Sequence, residues 1–197
     1  MLKRTSAVCM TLIAAATLIT AQESRPASPR GTSATQLGDK GPWIEITSGR
    51  PIKRGRSLWG SGATYGQTLL ARAPVWRAGA DVSTRLKSDV PLQIGGKPVP
   101  AGEYSLFIDL KSPTDWTLIV SSWAAKKAGS DQQKDALWGA YNYTPDKDVA
   151  RAAMKVDTLP LSIDQLTWSF ADVTPAGGQL VLMWDTVVAT APFTVGK

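Results

Sequence analysis

Histidine is absent from the 197-residue sequence, and the single cysteine lies at position 9. Imidazole chemistry is therefore excluded, and the N-terminal cleavage predicted below would also remove thiolate chemistry and disulfide bonds. Serine and cysteine hydrolase triads of the usual kind and most zinc or copper sites are excluded with them. We accordingly assign no catalytic residue from the sequence and expect neither a metal nor a cofactor.

Long apolar runs are also missing beyond the N-terminus. Two basic residues precede a short stretch of small and aliphatic residues at 7–21, and Thr20-Ala21-Gln22 offers a small-residue cleavage point. This pattern is typical of a signal peptide, because the apolar core is short and no second hydrophobic segment follows. We predict that residues 1–21 are a signal peptide, with a retained anchor as the alternative. The protein is then exported, periplasmic or extracellular, with no stable membrane span after cleavage.

Charge of either sign is moderate. The chain carries 22 basic and 16 acidic residues, and removal of Lys3 and Arg4 with the signal peptide leaves 20 basic residues against 16 acidic ones. A net charge of this size permits contact with small anions or an anionic envelope glycan. An exported chain has little access to nucleic acid, so we expect no nucleic-acid partner.

The sequence divides into a polar lead and a folded part. Residues 22–40 are rich in proline, serine, threonine and glycine, which predicts a flexible lead. Residues 41–197 are predicted to form a single domain, and a chain of that length can bury a core without disulfides. A short helix is expected at 67–73, where Pro74 would stop it.

Alternating apolar and polar residues recur at short intervals, as expected for half-buried strands. Leu166, Trp168 and Phe170 share one apolar face, and Leu180, Leu182 and Trp184 share another. Two sheets packed face to face explain both faces, so we predict an all-β, antiparallel β-sandwich. The prolines of 97–102 exclude a central strand there. Strands are predicted at 43–47, 82–90, 92–94, 104–110, 116–121, 138–143, 149–156, 165–170, 179–184 and 187–195.

Arginine is concentrated in one glycine-rich region with little periodicity, which we predict to be a long ordered loop. Between Thr47 and Asp81 there are five arginines and one lysine, and Asp81 is the only acid. Guanidinium groups present donors that match carboxylate or phosphate, and glycines let backbone amides approach the same anion. The candidate ligand-binding residues are Arg50, Arg54, Arg56, Trp76, Arg77 and Asp81.

A structural role for the same arginines is the competing interpretation, and it is the one we favour from the sequence. Arginines beside tryptophans often pack on the rings and pair with carboxylates such as Asp81, Glu103 or Asp109. This interpretation predicts that Arg77→Ala destabilises the protein by roughly a few kcal/mol, because a buried partner would lose its counter-charge. Burial and carboxylate pairing of Arg50, Arg56 and Arg77 would leave the structural role alone.

Four stretches carry a resemblance to a known family: SGRPIKRGRSLWG at 48–60, PVWRAGAD at 74–81, IGGKPVPAGEYSLF at 94–107 with DWTLIV at 115–120, and WGAYNY at 138–143. In their order and spacing the chain resembles the secreted bacterial family known as domain of unknown function 2911, over roughly residues 43–195. The resemblance implies an exported all-β domain and no established reaction. The family usually reads Gly-Ala-Asn-Glu where this chain has Gly79-Ala80-Asp81-Val82, so any role of that glutamate is absent here.

Two functional hypotheses follow. The first is a binding or scaffold module of the cell envelope whose arginine and tryptophan loop recognises an anionic or carbohydrate ligand. The alternative is a glycan-acting hydrolase or lyase that uses carboxylates such as Asp81, Glu103, Asp109 or Asp115. That chemistry requires two carboxylates about 5 to 10 Å apart in an open cleft.

Overall fold

Residues 27–196 are described by a computed structural model, and backbone pairing of their alternating segments makes the fold all-β. The predicted signal peptide lies outside the described residues. Within the described residues no helix is long and apolar enough to cross a membrane. The strands are β1 (Arg30–Gln36), β2 (Trp43–Gly49), β3 (Thr84–Ser88), β4 (Leu92–Ile94), β5 (Lys97–Val99), β6 (Gly102–Leu110), β7 (Trp116–Ser121), β8 (Ala124–Ala125), β9 (Ala136–Leu137), β10 (Asp148–Thr174) and β11 (Gly177–Val195).

Nine of these strands form one antiparallel sheet in the order β1-β2-β3-β6-β7-β10-β11-β4-β5, while β8 and β9 pair in a separate parallel ladder. The first part of β10, residues 148–154, pairs with β7, and its remainder, from Lys155 onward, pairs with β11. Because β10 pairs with β7 along its first part and with β11 along the rest, the sheet folds over into two layers. The predicted all-β, sandwich-like class is confirmed.

The core lies between these layers. Leu166 and Trp168 of β10 are buried, as are Leu180, Leu182 and Trp184 of β11. Their register places Trp168 opposite Leu182, so the two predicted apolar faces lie side by side and point inward. This burial supplies the hydrophobic stabilisation that a chain without disulfides needs.

Residues 148–195 form two long strands where the sequence predicted four short ones. Register shifts between Thr158 and Ile163 and between Ile163 and Thr167 bend β10 without ending it. Residues 158–164 at this bend are exposed or half-buried and include Pro160, so they break the alternation of buried and exposed side chains while the strand stays continuous. Side-chain pattern therefore underestimated the length of both strands.

The predicted flexible lead at 22–40 is wrong for residues 30–36. They form β1, whose backbone pairs with β2 along its whole length, and Ser33 Oγ donates to the carbonyl of Trp168 at 2.5 Å. The side chains of β1 are polar or small and only half-buried at alternate positions, so composition gave no strand signal. The folded part begins before residue 41.

Two further predictions need correction and one is consistent with the structure. Residues 138–143 form turns rather than a strand, with Gly139 and Asn142 at positive φ. The predicted helix at 67–73 is shortened to α1 (Gln67–Leu70), because Ala71 already takes a left-handed conformation. Lys97–Val99 does form a strand, β5, but at the edge of the sheet, where a proline is tolerated.

Candidate ligand-binding cleft

Five of the six candidate residues line one cleft of about 400 Å³. We call it the arginine cleft, defined by Arg54, Arg56, Trp76, Arg77 and Asp81. Its volume lies within the range of small-molecule sites, roughly 300 to 1,000 Å³. The other lining residues were not predicted as ligand-binding residues; they are Ala27, Ser28, Pro51, Ile52, Thr68, Leu69, Ala71, Gly79, Ala80 and Trp184.

Two loop segments, 51–56 and 76–81, bring the cationic side chains to the arginine cleft. Backbone hydrogen bonds from Lys53 to Asp164 and from Leu166 to Pro51 hold the first segment against β10. A reciprocal pair of 2.8 Å backbone hydrogen bonds between Trp76 and Ile108 holds the second segment against β6. Both segments are therefore fixed by sheet-like pairing although they lie outside the main ladders.

Close backbone approach joins the second segment to the end of β2. The amide of Ala80 donates to the carbonyl of Gly49 at 3.1 Å. A Cβ at Gly49 would lie 2.2 Å from the carbonyl oxygen of Ala80, a distance that only glycine permits. The glycine at this position in SGRPIKR is thus explained by packing of the loop that follows β2 against residues 78–81.

Arg50 does not line the arginine cleft. Its Nε donates to the carbonyl of Leu166 at 3.2 Å and its Nη2 to the hydroxyl of Thr167 at 3.3 Å. The side chain is half-buried and links the end of β2 to β10. Arg50 therefore has a structural role, as the competing interpretation of the arginines predicted. Its acceptors, however, are a carbonyl and a hydroxyl rather than a carboxylate.

Arg56 combines both roles. Its Nε donates to the carbonyl of Lys53 at 2.9 Å and its Nη2 to that of Ile52 at 2.7 Å, so it closes its own loop. The guanidinium carbon lies 6.0 Å from the ring centre of Trp184, within cation–π range. Arg56 is exposed, and the remaining N–H donors of its five are free to meet a ligand.

Arg77 is the unusual member of the set. It is half-buried, and among residues 27–196 its enclosed Nε has no hydrogen-bond acceptor. A Cβ at Gly139 would lie 2.7 Å from Nη1, so the guanidinium packs directly on that glycine. An unsatisfied buried donor costs about 1 to 3 kcal/mol, more when charged.

Arg54 and Asp81 are exposed, and both have a left-handed backbone, with φ of 52° and 61°. Ala71, also in the wall of the arginine cleft, has φ of 49°. Such conformations are costly for residues other than glycine and cluster at binding sites, where the surroundings impose them. The wall therefore has a constrained backbone as well as cationic side chains.

The expected pairing of the candidate arginines with carboxylates is wrong. Within residues 27–196, no ion pair involves Arg50, Arg54, Arg56 or Arg77. Other cations, brought close by strand pairing, hold two of the carboxylates that had been expected to neutralise them, Glu103 and Asp109, while the third, Asp81, is in no ion pair with the described residues. The ion pairs are Lys53–Asp185, Arg85–Glu103, Arg151–Asp109, Arg151–Asp148 and Lys155–Asp157.

The positions of the carboxylates also test the hydrolase alternative. Asp81 is the single carboxylate among the lining residues of the arginine cleft. Glu103 and Asp109 are held by Arg85 and Arg151 on the strands. The two-carboxylate geometry of glycoside hydrolysis is therefore not present in the arginine cleft.

A tryptophan cluster supports the cleft from behind. Trp76 and Trp184, which line it, are stacked with ring centres 6.2 Å apart, and Trp59 packs edge-on against both. Trp116 completes the cluster and donates from Nε1 to the hydroxyl of Tyr65 at 2.8 Å. Burial raises the pKa of Tyr65, and the Trp116 hydrogen bond opposes that shift. Because Trp76 and Trp184 are each 2% exposed, they form a rigid floor and not an open stacking surface.

The fold and the cleft together define an all-β, sandwich-like protein with a cationic cleft on a tryptophan floor. The chain belongs to the family described as protein of unknown function (DUF2911), which matches residues 28–193. The family resemblance found in the sequence is thereby confirmed. Comparison with curated proteins and with solved structures found no match.

Proposed function

We propose that the protein is an exported binding module of the cell envelope whose arginine cleft holds a small anion bearing a carboxylate or phosphate group. The observation that carries the proposal is Arg77, an arginine in the wall of the cleft whose buried Nε has no hydrogen-bond acceptor among residues 27–196. Export is supported by the signal-like pattern of residues 1–21.

Charge balance favours an anion over a neutral ligand. Arg54, Arg56 and Arg77 line the cleft with one carboxylate, and none of them is in an ion pair with residues 27–196. Their fields therefore add in the cleft and attract anions. Guanidinium forks also match the planar oxygens of a carboxylate or phosphate, which gives geometric selectivity.

Preorganisation favours binding as well. Backbone pairing fixes both loop segments, and the buried tryptophan floor leaves the walls little freedom to collapse. A cleft that is held open avoids the ordering cost that a mobile loop would add to binding. Two donors of Arg56 are already used within its loop, so Arg54 and Arg77 supply most of the free donors.

Isothermal titration of the mature protein with phosphate, citrate and succinate tests the proposal. We expect at least one of these anions to bind, with affinity that falls as salt is raised because the cleft is open to solvent. Arg77→Gln and Arg54→Gln should each weaken that binding about tenfold, since each removes a charge-assisted hydrogen bond.

Arg72→Gln is the matched control for Arg54→Gln. Arg72 is exposed and has φ of 71°, as Arg54 is exposed with φ of 52°, but it is not among the residues that line the cleft. Its replacement should leave the affinity within about twofold of the parent, because the charge it removes is screened. Absence of binding for phosphate, citrate and every carboxylic acid tested, or equal losses in the Arg54 and Arg72 variants, would overturn the proposal.

A further inference from the structure

Asp81 is an unpaired carboxylate in a cleft that three guanidinium groups also line. Within residues 27–196 it is exposed and forms neither an ion pair nor a side-chain hydrogen bond, although Arg54, Arg56 and Arg77 line the same cleft. A carboxylate whose purpose was to neutralise these cations would be expected to contact one of them. The arginine cleft therefore keeps positive and negative groups apart from each other.

The backbone fixes the position of Asp81 without help from its side chain. The preceding residue, Ala80, is hydrogen-bonded to Gly49. On the other side, a Cβ at Gly139 would lie 3.3 Å from the carbonyl oxygen of Asp81, so that residue is wedged against the turn at 138–143. The carboxylate is consequently free for contacts outside the protein.

The left-handed backbone does not by itself require a charge at this position. Asparagine accepts the same conformation as readily as aspartate. If conformation were the only requirement, the carboxylate of Asp81 would merely weaken the field of the arginines. This alternative makes a different prediction from a binding role, because removal of the charge would then strengthen the binding of every anion.

We propose that the arginine cleft selects zwitterionic small molecules, with the anionic group on Arg54 and Arg77 and an ammonium group on Asp81. The inference rests on the proposed function, because it assigns the ligand class of the same cleft. Opposite charges that are held apart in one cleft complement a ligand whose own opposite charges are separated by a short linker. A dianion of the same length would place its second charge beside Asp81, where it is repelled.

Three four-carbon acids form a matched set of probes: butyrate, succinate and γ-aminobutyrate. They differ mainly in the group at the far end of the chain, which is apolar, anionic or cationic. We expect γ-aminobutyrate to bind about fivefold more tightly than butyrate, the upper end of the gain from an exposed ion pair. Succinate should bind no more tightly than butyrate in the parent protein.

Asp81→Asn is the decisive variant, since it removes the charge and keeps a residue suited to the backbone. It should abolish the preference for γ-aminobutyrate over butyrate and should strengthen succinate binding. Asp172→Asn is the control: Asp172 is exposed, has φ of 51°, and does not line the arginine cleft. It should leave all three affinities within about twofold of the parent, because its charge is screened from the cleft.

The outcomes distinguish selection of zwitterions from the proposed function, anion binding, on which it rests. Loss of the preference for γ-aminobutyrate in Asp81→Asn alone supports selection of zwitterions. Equal strengthening of all three ligands in Asp81→Asn overturns the inference and leaves anion binding in place, since Asp81 then only weakens the arginine field. If neither the three acids nor phosphate and citrate bind the parent, the proposed function fails and the inference fails with it.

Discussion

Arg50 and Arg77 come from the same arginine-rich region but have opposite environments. Arg50 follows β2 and meets two acceptors on β10, whereas Arg77 faces a cleft and finds no acceptor for its buried Nε within residues 27–196. Neither residue pairs with a described carboxylate. We call the arginines that link a loop to the strands, such as Arg50, the framework. They differ from the arginines of the cleft in the acceptors that lie opposite their side chains, and tertiary structure decides which acceptors those are.

Gly49 at the end of β2 contacts Ala80 in the wall of the arginine cleft. Among the predicted substitutions, its replacement should lower the free energy of unfolding the most. Gly49→Ala places a Cβ 2.2 Å from the Ala80 carbonyl oxygen, so either the end of β2 or the segment 76–81 must move. We expect the free energy of unfolding to fall by about 3 kcal/mol, the upper range for overpacking. Chemical denaturation measures it.

Gly129→Ala is the control for this substitution, because a Cβ there would meet nothing closer than 3.7 Å. It should change the free energy of unfolding by less than about 0.5 kcal/mol. If Gly49→Ala were equally mild, the contact between residues 49 and 80 would not be what holds the cleft wall to the framework.

Arg50→Met should have the next largest effect. The variant keeps an unbranched apolar stem but removes the donors to Leu166 and Thr167. We expect a loss of about 1 to 2 kcal/mol, because a half-buried carbonyl loses a charged donor. The denaturation midpoint should fall without a change in anion binding, since Arg50 does not line the cleft. Weakened binding in this variant would contradict the division between framework and cleft.

Arg77→Met sharpens the comparison because the same substitution should cost less there. Arg77 satisfies no described acceptor, and Met retains packing against Gly139, so we expect a change in the free energy of unfolding below about 1 kcal/mol. The sequence-based expectation of a loss of a few kcal/mol assumed a buried carboxylate partner, which the described residues do not provide. A loss as large as that of Arg50→Met would show that Arg77 belongs to the framework.

The sequence predicted the fold class and the residues of the cleft better than it predicted their interactions. Strand alternation identified β2, β6 and β7, and the apolar faces at 166–170 and 180–184, because those side chains alternate between core and surface. It missed β1, because the side chains of that strand are polar or small and carry no apolar alternation. It also divided β10 and β11, because a bend interrupts the pattern but not the ladder.

The arginine-rich region identified five residues of the arginine cleft, but it also included Arg50, whose side chain donates to a carbonyl of β10 and does not line the cleft. Trp184 could not be added from the sequence, since it lies more than one hundred residues beyond Trp76 and meets it only through the folding of β11 over the loop. Carboxylate partners were misassigned for the same reason. Ion pairs follow strand register, and the register of β3, β6, β7 and β10 is set by long-range pairing.

The smallest predicted effect concerns the Lys53–Asp185 ion pair. Lys53 belongs to the loop segment that also carries Arg54, but it pairs with Asp185 of β11. Burial raises the pKa of Asp185, but the hydrogen bonds from Lys53 and Ser162 and the charge of Lys53 outweigh it, so the pKa lies below the ordinary 3.8. A carboxylate with a lowered pKa in the folded state adds stability above its unfolded pKa. That stability is lost as the pH falls through the folded pKa.

Asp185→Asn should therefore be less stable than the parent at pH 7, by no more than about 1 kcal/mol for a partly exposed pair. The difference should narrow once the pH falls below about 4, where the parent carboxylate begins to take up a proton. Urea denaturation of both proteins between pH 7 and pH 3 measures this. A difference that stays constant across that range would mean that Asp185 acts through its hydrogen bonds and backbone conformation, with φ of 53°, and not through its charge. Anion binding at pH 7 should be unchanged, because Asp185 is not among the residues that line the cleft.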